Sequence, residues 1–368
     1  MSVRKLSLLA GVGAPAPVPA EVTAALGRVE IAAALGERGS FRLTFRLDRG
    51  STLPARFLRE SGDLVRVVLL TEEGGDHVVA MDGVAVTHAV AAGAEDGELV
   101  VGGEDLTLLM DLRDGSGRAF PGMTVAARVA VILAGYSVFG VTAAVVPPPI
   151  ADVPDPSERL VLQHGTDYVY LQALARRVGH RFTLDPGPAP GAAVAHWGPE
   201  PRGDRSQPAL VVRFDRRSNV ESLQFRFDAM GRVAPQAVIL DPATKAAIPI
   251  PVPDISALGP PLGAVVPPAH RQRRLPGAAK LTALQAAAAL LAEAARSAEA
   301  TTGLGTLKIV QGQRRLRPGQ IVEVRGAGDP FDGPYAVSRV RDTLTARSHH
   351  QEFELVRAGL GAAGGGKP

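Results

Sequence analysis

Histidine is the first residue type to weigh, because an imidazole ring can bind a metal ion or move a proton. The eight histidines are scattered along the chain, and only His349 and His350 are neighbours. Side chains of adjacent strand residues point to opposite faces, so these two cannot ligate one ion without a bulge. We therefore interpret the pair as the polar end of a β-hairpin. The sequence predicts neither a metal site nor a bound cofactor.

Pairs of carboxylates are the second possible source of chemistry, because two of them can act as acid and base in sugar hydrolysis. Each pair in this chain lies beside Gly or Pro, where an acidic residue usually shapes a turn. The motifs of zinc peptidases, serine hydrolases and P-loop proteins are absent. The sequence therefore predicts no catalytic residue and no enzymatic activity. The pairs considered are Asp329 and Asp332, Glu72 and Glu73, and Asp111 and Asp114.

A short basic run, Arg271, Arg273 and Arg274, stands in a Pro-rich stretch. Elsewhere acids and bases are interspersed, with 40 Lys and Arg against 37 Asp and Glu. No long basic stripe with interleaved aromatic residues is present, which argues against specific nucleic-acid binding. Two interpretations of the run remain open, a solvated linker and a contact with a partner. We treat the three arginines as candidate partner-contact residues.

The composition predicts a globular chain built from many short strands. Its 368 residues are enough for two or three domains, and 41 glycines and 30 prolines supply turns. Only 4% of the residues are aromatic, so Val and Leu must fill the cores. The absence of cysteine excludes disulfides and thiolate chemistry. No run of about 18 apolar residues occurs, so no membrane-spanning helix is expected.

The amino terminus shares some features with a secretory signal. Arg4 and Lys5 precede a short apolar stretch that leads to a small-residue site near Ala16. Polar and glycine residues interrupt this stretch, so we favour a first strand or an arm. Cleavage within residues 1–16 stays open as the alternative.

Alternation of apolar and polar residues predicts a β-rich region over residues 28–104. Ser40 to Leu47 alternates without a break, which is typical of a strand with one wet face. Strands at such short intervals favour a sandwich or a barrel, with Asp-Gly or Gly-Gly turns between them. The further strands are predicted at Leu64 to Leu70, His77 to Met81, Val84 to Val90 and Glu98 to Val101.

Helical periodicity marks residues 105–201. Thr124 to Ala134 carries an apolar stripe that Gly135 can end. The strongest helix pattern runs from Thr166 to Gly179, with Thr166 suited to the N-cap and Gly179 to the end.

Strand patterns return in the carboxyl-terminal part of the chain. Ala209 to Phe214 and Ser222 to Asp228 alternate, and Val238 to Leu240 is predicted to continue their sheet. Residues 251–302 are interpreted as a Pro-rich linker followed by an Ala-rich helix, and 360–368 as a disordered tail. Four last strands are predicted at Leu307 to Val310, Ile321 to Val324, Tyr335 to Val340 and Gln351 to Val356.

Two of these stretches resemble the phage late control D family, the tail-hub proteins related to VgrG of type VI secretion. In the helix stretch, a Gln-x-x-Thr-Asp pattern leads into a Leu-rich helix that ends at Gly. In the last stretch, an Asp-Gly turn leads into a strand with Tyr, and a second strand returns with Phe and Leu. The matching residues are Gln163, Thr166, Asp167, Leu171 and Gly179 in the first, and Asp332, Gly333, Tyr335, Phe353 and Leu355 in the second.

The resemblance implies an α+β fold that is mainly β. Residues 1–27 would form an arm, and 28–104 a first β-barrel-like domain. Residues 105–201 would form an α/β segment, and 202–250 with 303–359 a second β-barrel-like domain, interrupted by the 251–302 insert. Three subunits would then present six similar barrels, which makes a homotrimer with a pseudo-sixfold ring the expected assembly.

The family's role is that of a baseplate hub in a contractile tail or an extracellular contractile injection system. A hub joins the sixfold inner tube to the threefold spike. The implied partners are two further copies of the chain, the tube protein, other baseplate components and a spike, which we expect to be a separate chain. Assembly in the cytoplasm is expected, within a phage-tail-like particle that can be released, without membrane insertion.

Two alternatives from other classes remain open at the level of sequence. A secreted cell-wall hydrolase would have a processed amino terminus near Ala16 and would act as a monomer. A β-rich module that binds sugar or peptide would be a monomer whose melting temperature rises with its ligand.

Overall fold

Strands dominate the computed structural model of the chain, which describes residues 6–48, 51, 53, 63–92, 97–201, 207–212, 218–241, 243–310 and 313–362. The predicted mainly β character is confirmed. One sheet of 13 strands runs through both β-rich regions, and smaller sheets flank it.

In the part that the structure describes, the first β-rich region contains strands β1 to β7 and the short helix α1. β4 has the predicted bounds, and its residues Phe41, Leu43 and Phe45 are buried in the core of this region. β1 pairs antiparallel with β5 and buries Leu8, so the amino-terminal segment forms a first strand. The elements are β1 Ser7–Gly11, β2 Ala16–Pro17, α1 Ala20–Ala25, β3 Leu26–Ala34, β4 Ser40–Leu47, β5 Arg66–Glu73, β6 Asp76–Ala92 and β7 Gly97–Asp105.

β6 is one strand of 17 residues, whereas the sequence predicted two strands separated by an Asp-Gly turn. The Asp82 carboxylate accepts two hydrogen bonds from the Arg66 guanidinium, each 2.8 Å long, instead of shaping a turn. A Cβ atom at Gly83 would lie 2.2 Å from the carbonyl oxygen of Glu104 on β7. Gly83 therefore serves the close approach of two strands, which is another reason for Gly in a sheet.

The central α/β segment packs two helices against a three-stranded sheet. Its middle strand, β10, is parallel to β8 and antiparallel to β9. The predicted N-cap Thr166 and the predicted helix ends Gly135 and Gly179 are confirmed, and Thr124 caps α2 as well. The elements are a 3-10 helix Leu106–Asp111, α2 Val125–Ala134, a 3-10 helix Ser137–Phe139, β8 Val141–Val145, α3 Asp167–Val178, β9 Arg181–Pro186 and β10 Ala193–Gly198.

The second β-rich region contains the four predicted last strands, which are mostly longer than predicted. Of the predicted strand Ala209 to Phe214, only Leu210–Val211 pairs, and residues 213–217 lie outside the described residues. The strands are β11 Leu210–Val211, β12 Ser222–Phe227, β17 Thr301–Lys308, β18 Ile321–Arg325, β19 Gly333–Thr345 and β20 His349–Arg357.

The two β-rich regions meet where β19 pairs with β3. The pairing is antiparallel and places Val340 opposite Ala33, so one ladder of strands continues from one region into the other. Within the described residues, no strand pairing closes either region into a barrel of its own. The two-barrel arrangement therefore stays a prediction.

A separate sheet with the order β14-β13-β16 holds Val238 to Leu240, which the sequence placed in the main sheet. The inner residues of β13, Ala237 and Ile239, pack with Ala286 and Leu290 of α4, and this draws the strand away from the main sheet. The elements are β13 Val233–Leu240, β14 Ala247–Ile250, a 3-10 helix Ile255–Leu258, β15 Gly263–Val265, β16 Arg271–Arg274, a 3-10 helix Ala278–Lys280 and α4 Ala283–Ala298.

Two predicted irregular segments contain regular structure. Residues 251–302 were interpreted as a linker and a helix, but they also include β15 and β16. The predicted disordered tail begins instead with strand β21, Leu360–Ala362, which pairs with β15. Backbone hydrogen bonds to β15 order these three residues. Residues 363–368 lie outside the described residues.

Candidate functional site

The residues of the helix pattern form a polar cluster at the start of α3. The Thr166 hydroxyl accepts a backbone N–H of the first helical turn and donates to the carboxylate of Asp111. The carboxylate of Asp167 accepts hydrogen bonds from the Gln163 amide at 2.6 Å and from the Tyr136 hydroxyl at 2.8 Å. These bonds hold the start of α3 against Asp111 of the first 3-10 helix and against Tyr136, which follows α2. The three pattern residues therefore position an element of the fold.

Leu171 and Gly179 complete that pattern in the core. Leu171 is fully buried, and its carbonyl oxygen accepts the indole N–H of Trp197 at 3.2 Å. Gly179 has a φ of +77° and ends α3 in the left-handed conformation, which favours Gly. A Cβ atom there would lie 2.5 Å from the Leu258 side chain. Both residues serve packing.

The second pattern surrounds the side chain of Arg357, which is 1% exposed. Its guanidinium donates to the carbonyl oxygens of Pro330 at 2.6 Å, Asp332 at 2.9 Å and Gly359 at 3.3 Å. It also lies over the ring of Tyr335, 4.3 Å from the ring centre. Burial raises the pKa of Tyr335 to about 12, so the phenol stays neutral beneath the cation. The arginine thus closes the loop before β19.

The other members of this pattern hold the same loop and the core beneath it. The Asp332 carboxylate accepts the backbone N–H of Ala327 at 2.7 Å. Gly333 has a φ of +115°, a conformation that L side chains rarely adopt. Phe353 and Leu355 are buried in the core of the second β-rich region. All the residues that carry the resemblance therefore stabilise the fold.

A second cluster of buried charges joins the two β-rich regions. The Arg315 guanidinium donates to Glu73 of β5 at 2.8 Å and to Asp342 of β19 at 3.5 Å, and it also bonds the carbonyl oxygen of Ala80 at 3.1 Å. The carboxylate of Asp342 contacts the ring of His349 at 2.6 Å. All four side chains are buried, with at most 7% of each exposed: Arg315, Glu73, Asp342 and His349.

Sequence reasoning missed this cluster because its partners are far apart in the chain. Arg315 and Glu73 are separated by 242 positions, and no local pattern signals such a pair. The interpretation of His349-His350 as a polar hairpin end describes only His350, which lies at the surface 3.3 Å from Glu221. His349 points into the cluster, as the alternation of strand side chains requires.

A cavity of about 360 Å³ lies beside this cluster, between the two β-rich regions and β9. Apolar side chains such as Met81 and Leu184 line it, together with the carboxylate of Asp105. Burial raises the pKa of Asp105 to about 6, although hydrogen bonds from Gly39 and Thr107 favour its charged form. The cavity marks the place where three parts of the chain meet.

A second cavity, of about 240 Å³, lies where the α/β segment meets α4 and the second β-rich region. His180 borders it, is 2% exposed and contacts Trp197 with a distance of 4.6 Å between ring centres. Burial and the nearby His196 lower the pKa of His180 to about 4. The ring is therefore neutral at pH 7.

The three candidate partner-contact arginines lie on β16, and the strand divides them between its two faces. Arg273 points toward α4 and pairs with Glu293 at 2.8 Å. Arg271 shares that face, whereas Arg274 points to the opposite face. All three are exposed and ordered within a strand, so the solvated-linker interpretation does not describe them.

Within the described residues, no group of three or more His, Asp or Glu side chains is placed to hold a metal ion. A membrane-spanning helix was likewise not found in the part of the chain that the structure describes. The buried guanidinium of Arg315 is engaged with carboxylates, and that of Arg357 with backbone carbonyls.

Comparison with solved structures decides the kind of fold. A prophage 43 kDa tail protein from Shewanella oneidensis superposes with a TM-score of 0.63 at 18% identity, covering 96% of this chain and 98% of that one. A tail protein from Neisseria meningitidis gives a TM-score of 0.61 at 18% identity, with 96% of both chains covered. The chain has the tail-hub and VgrG-related fold. The resemblance inferred from the two sequence patterns is confirmed at the level of fold.

The tail-hub fold extends to secretion proteins. An E. coli component of the type VI secretion system, described as similar to tail proteins of bacteriophage T4, gives a TM-score of 0.56 at 12% identity. That match covers 93% of this chain and 77% of that one. No protein family description and no curated protein sequence matched the chain.

Proposed function

We propose that the chain is the structural hub of a contractile tail or contractile injection system. In this function three copies form a ring that joins the sixfold inner tube to the threefold spike. The activity is mechanical: the ring holds two assemblies of different symmetry together, and no bond is made or broken. The observation that carries the proposal is the match to two tail proteins over 96% of the chain.

The continuous sheet supports this function. β3 and β19 link the two β-rich regions, and the Arg315 cluster crosses between β5 and β19. A hub transmits force between tube and spike, so its two halves must not separate under load. Hydrogen bonds along a strand pair and buried ion pairs are suited to resist that separation.

The oligomeric state tests the proposal. Light scattering on the full chain, alone and with candidate tube and spike proteins, should show three copies of the chain in at least one sample, a mass of about three times 38.3 kDa plus that of any bound partner. A strict monomer in every mixture would contradict the hub function.

A further inference from the structure

The sheet β14-β13-β16 ends in an open edge at β16. Leu275 donates its backbone N–H to the carbonyl oxygen of Gln236, which fixes the phase of the parallel β13–β16 ladder. In such a ladder, alternate residues direct their backbone groups to the same neighbour. Arg273 therefore points its backbone groups to β13, and Gln272 and Arg274 point theirs to the open edge. No partner for these edge groups is found within the described residues.

The side chains at this edge are strongly basic and exposed. Each of the four residues of β16 is exposed, and three of them are arginines. Arg273 pairs with Glu293, and its side chain remains 66% exposed. His270, which precedes the strand, is exposed as well. A strand placed against this edge would meet arginine side chains on both of its faces.

The outer face of the same sheet adds apolar surface. Val238 and Leu240 of β13 are 42% and 45% exposed. Gln236, on the same face, bonds the side chain of Gln272 at 3.1 Å, which places Gln272 and Arg274 beside these residues. The edge therefore offers unpaired backbone groups, positive charge and an adjoining apolar face.

We propose that β16 is a docking edge for an extended, acidic segment of another protein, which adds to the sheet as a fourth strand. Backbone hydrogen bonds supply affinity in this mode, and side-chain pairing supplies selectivity. The arginines select Asp- and Glu-rich strands. They disfavour a second copy of this edge, because like charges on opposing strands repel. Docking of such a segment does not depend on the trimer.

Peptide binding to the full chain tests the docking edge. The probe is a short fluorescent peptide that alternates Glu and Val, and its control carries the same charge with Pro in place of alternate Val residues. Fluorescence anisotropy at low ionic strength should show binding of the first peptide at least about 10-fold tighter than the second. Equal binding of both peptides would overturn strand addition, as would no binding up to about 1 mM.

Three variants locate the binding. Gln272→Pro removes an N–H from the open edge while the β13 ladder stays intact, so affinity should fall about 10-fold or more. Arg274→Glu should weaken binding by a similar factor. Arg347→Glu makes the same charge change at an exposed turn elsewhere and should leave affinity unchanged.

Two outcomes of these variants would overturn the proposal. Unchanged affinity in both edge variants would place the peptide elsewhere. A fall in the mass of the protein alone, on Arg274→Glu, would assign the edge to a second copy. Light scattering on the same variants checks folding and assembly, so failure of the docking edge is distinguishable from failure of the hub function.

Discussion

Arginine has opposite roles in two regions of this molecule. In the main sheet, Arg315 and Arg357 are buried, and their guanidinium groups are saturated by carboxylates and carbonyl oxygens. In the small sheet, Arg271 and Arg274 lie on an exposed edge strand. The buried arginines thus stabilise the fold, whereas the exposed arginines are available to a partner. Substitution of a buried arginine should lower the stability of the protein, and substitution of an exposed arginine should change its binding.

The largest effect is expected from Arg315→Ala. The substitution removes the guanidinium that joins two buried carboxylates: Asp342 loses its arginine, and Glu73 keeps the more exposed Arg317 at 3.3 Å. Loss of one partner of a buried ion pair costs about 3–5 kcal/mol. The free energy of unfolding from a denaturant titration measures this loss. Arg274→Ala is the matched control and should change stability by less than about 0.5 kcal/mol. Similar losses in both variants would remove the contrast between the two regions.

We expect the shape of the Arg357 guanidinium to matter for stability as well as its charge. Arg357→Lys keeps the charge but cannot reach three carbonyl oxygens and lie flat over Tyr335 at once. We expect a loss of about 2–3 kcal/mol in the free energy of unfolding, from unsatisfied carbonyls and the lost ring contact. Full retention of stability in the lysine variant would show that charge alone suffices.

Acid should act on two buried groups in opposite directions. The pKa of His180 is lowered from 6.5 to about 4, so its contribution to stability is present above pH 6.5 and lost as the pH falls to about 4. The pKa of Asp105 is raised from 3.8 to about 6, so stability is gained as the pH falls from about 6 toward 3.8. Each shift corresponds to about 3 kcal/mol, and in the native chain the two largely cancel.

Variants separate the two titrations. His180→Phe keeps a ring beside Trp197 and should make the protein gain stability on acidification from pH 7 to pH 4.5. Asp105→Asn should make it lose stability over the same range. Thermal melting at a series of pH values measures both, and parallel curves for the two variants would contradict the assignment.

The smallest effect is expected from the helix caps. Thr124 and Thr166 both cap helices, but only Thr166 also donates to a carboxylate, that of Asp111. Thr124→Ala should cost about 1 kcal/mol, and Thr166→Ala about 1 kcal/mol more. Denaturant titration of the pair measures the difference, and equal losses would show that the bond to Asp111 contributes nothing.

Local chemistry was predictable from the sequence. Thr166 and Gly179 mark the ends of α3 through their own backbone preferences, and the alternation in β4 is set by its own side chains. The Arg315 cluster was not predictable, because only the folded chain brings Glu73 of β5 and Asp342 of β19 within reach of Arg315. Gly83 was misinterpreted as part of a turn because the strand that needs its missing side chain is β7, which is distant in sequence.

The arginines of β16 also show what the sequence could not predict. Their charge was visible in the sequence, but their ordered strand was not, because β16 pairs with β13 more than thirty positions earlier. The candidate partner-contact role stays a prediction for the peptide experiment to test.

The pairing of β3 with β19 also determines how late in synthesis the main sheet can form. Glu37, just after β3, and Arg339 of β19 form an ion pair across 302 positions of the chain. At about 5–20 residues per second, the ribosome needs roughly 15 to 60 s to deliver the second strand after the first. During that interval β3 offers an unpaired edge inside the cell. The nascent chain is therefore most prone to aggregation before its last eighth has emerged, and slow translation of that part would lengthen the risk.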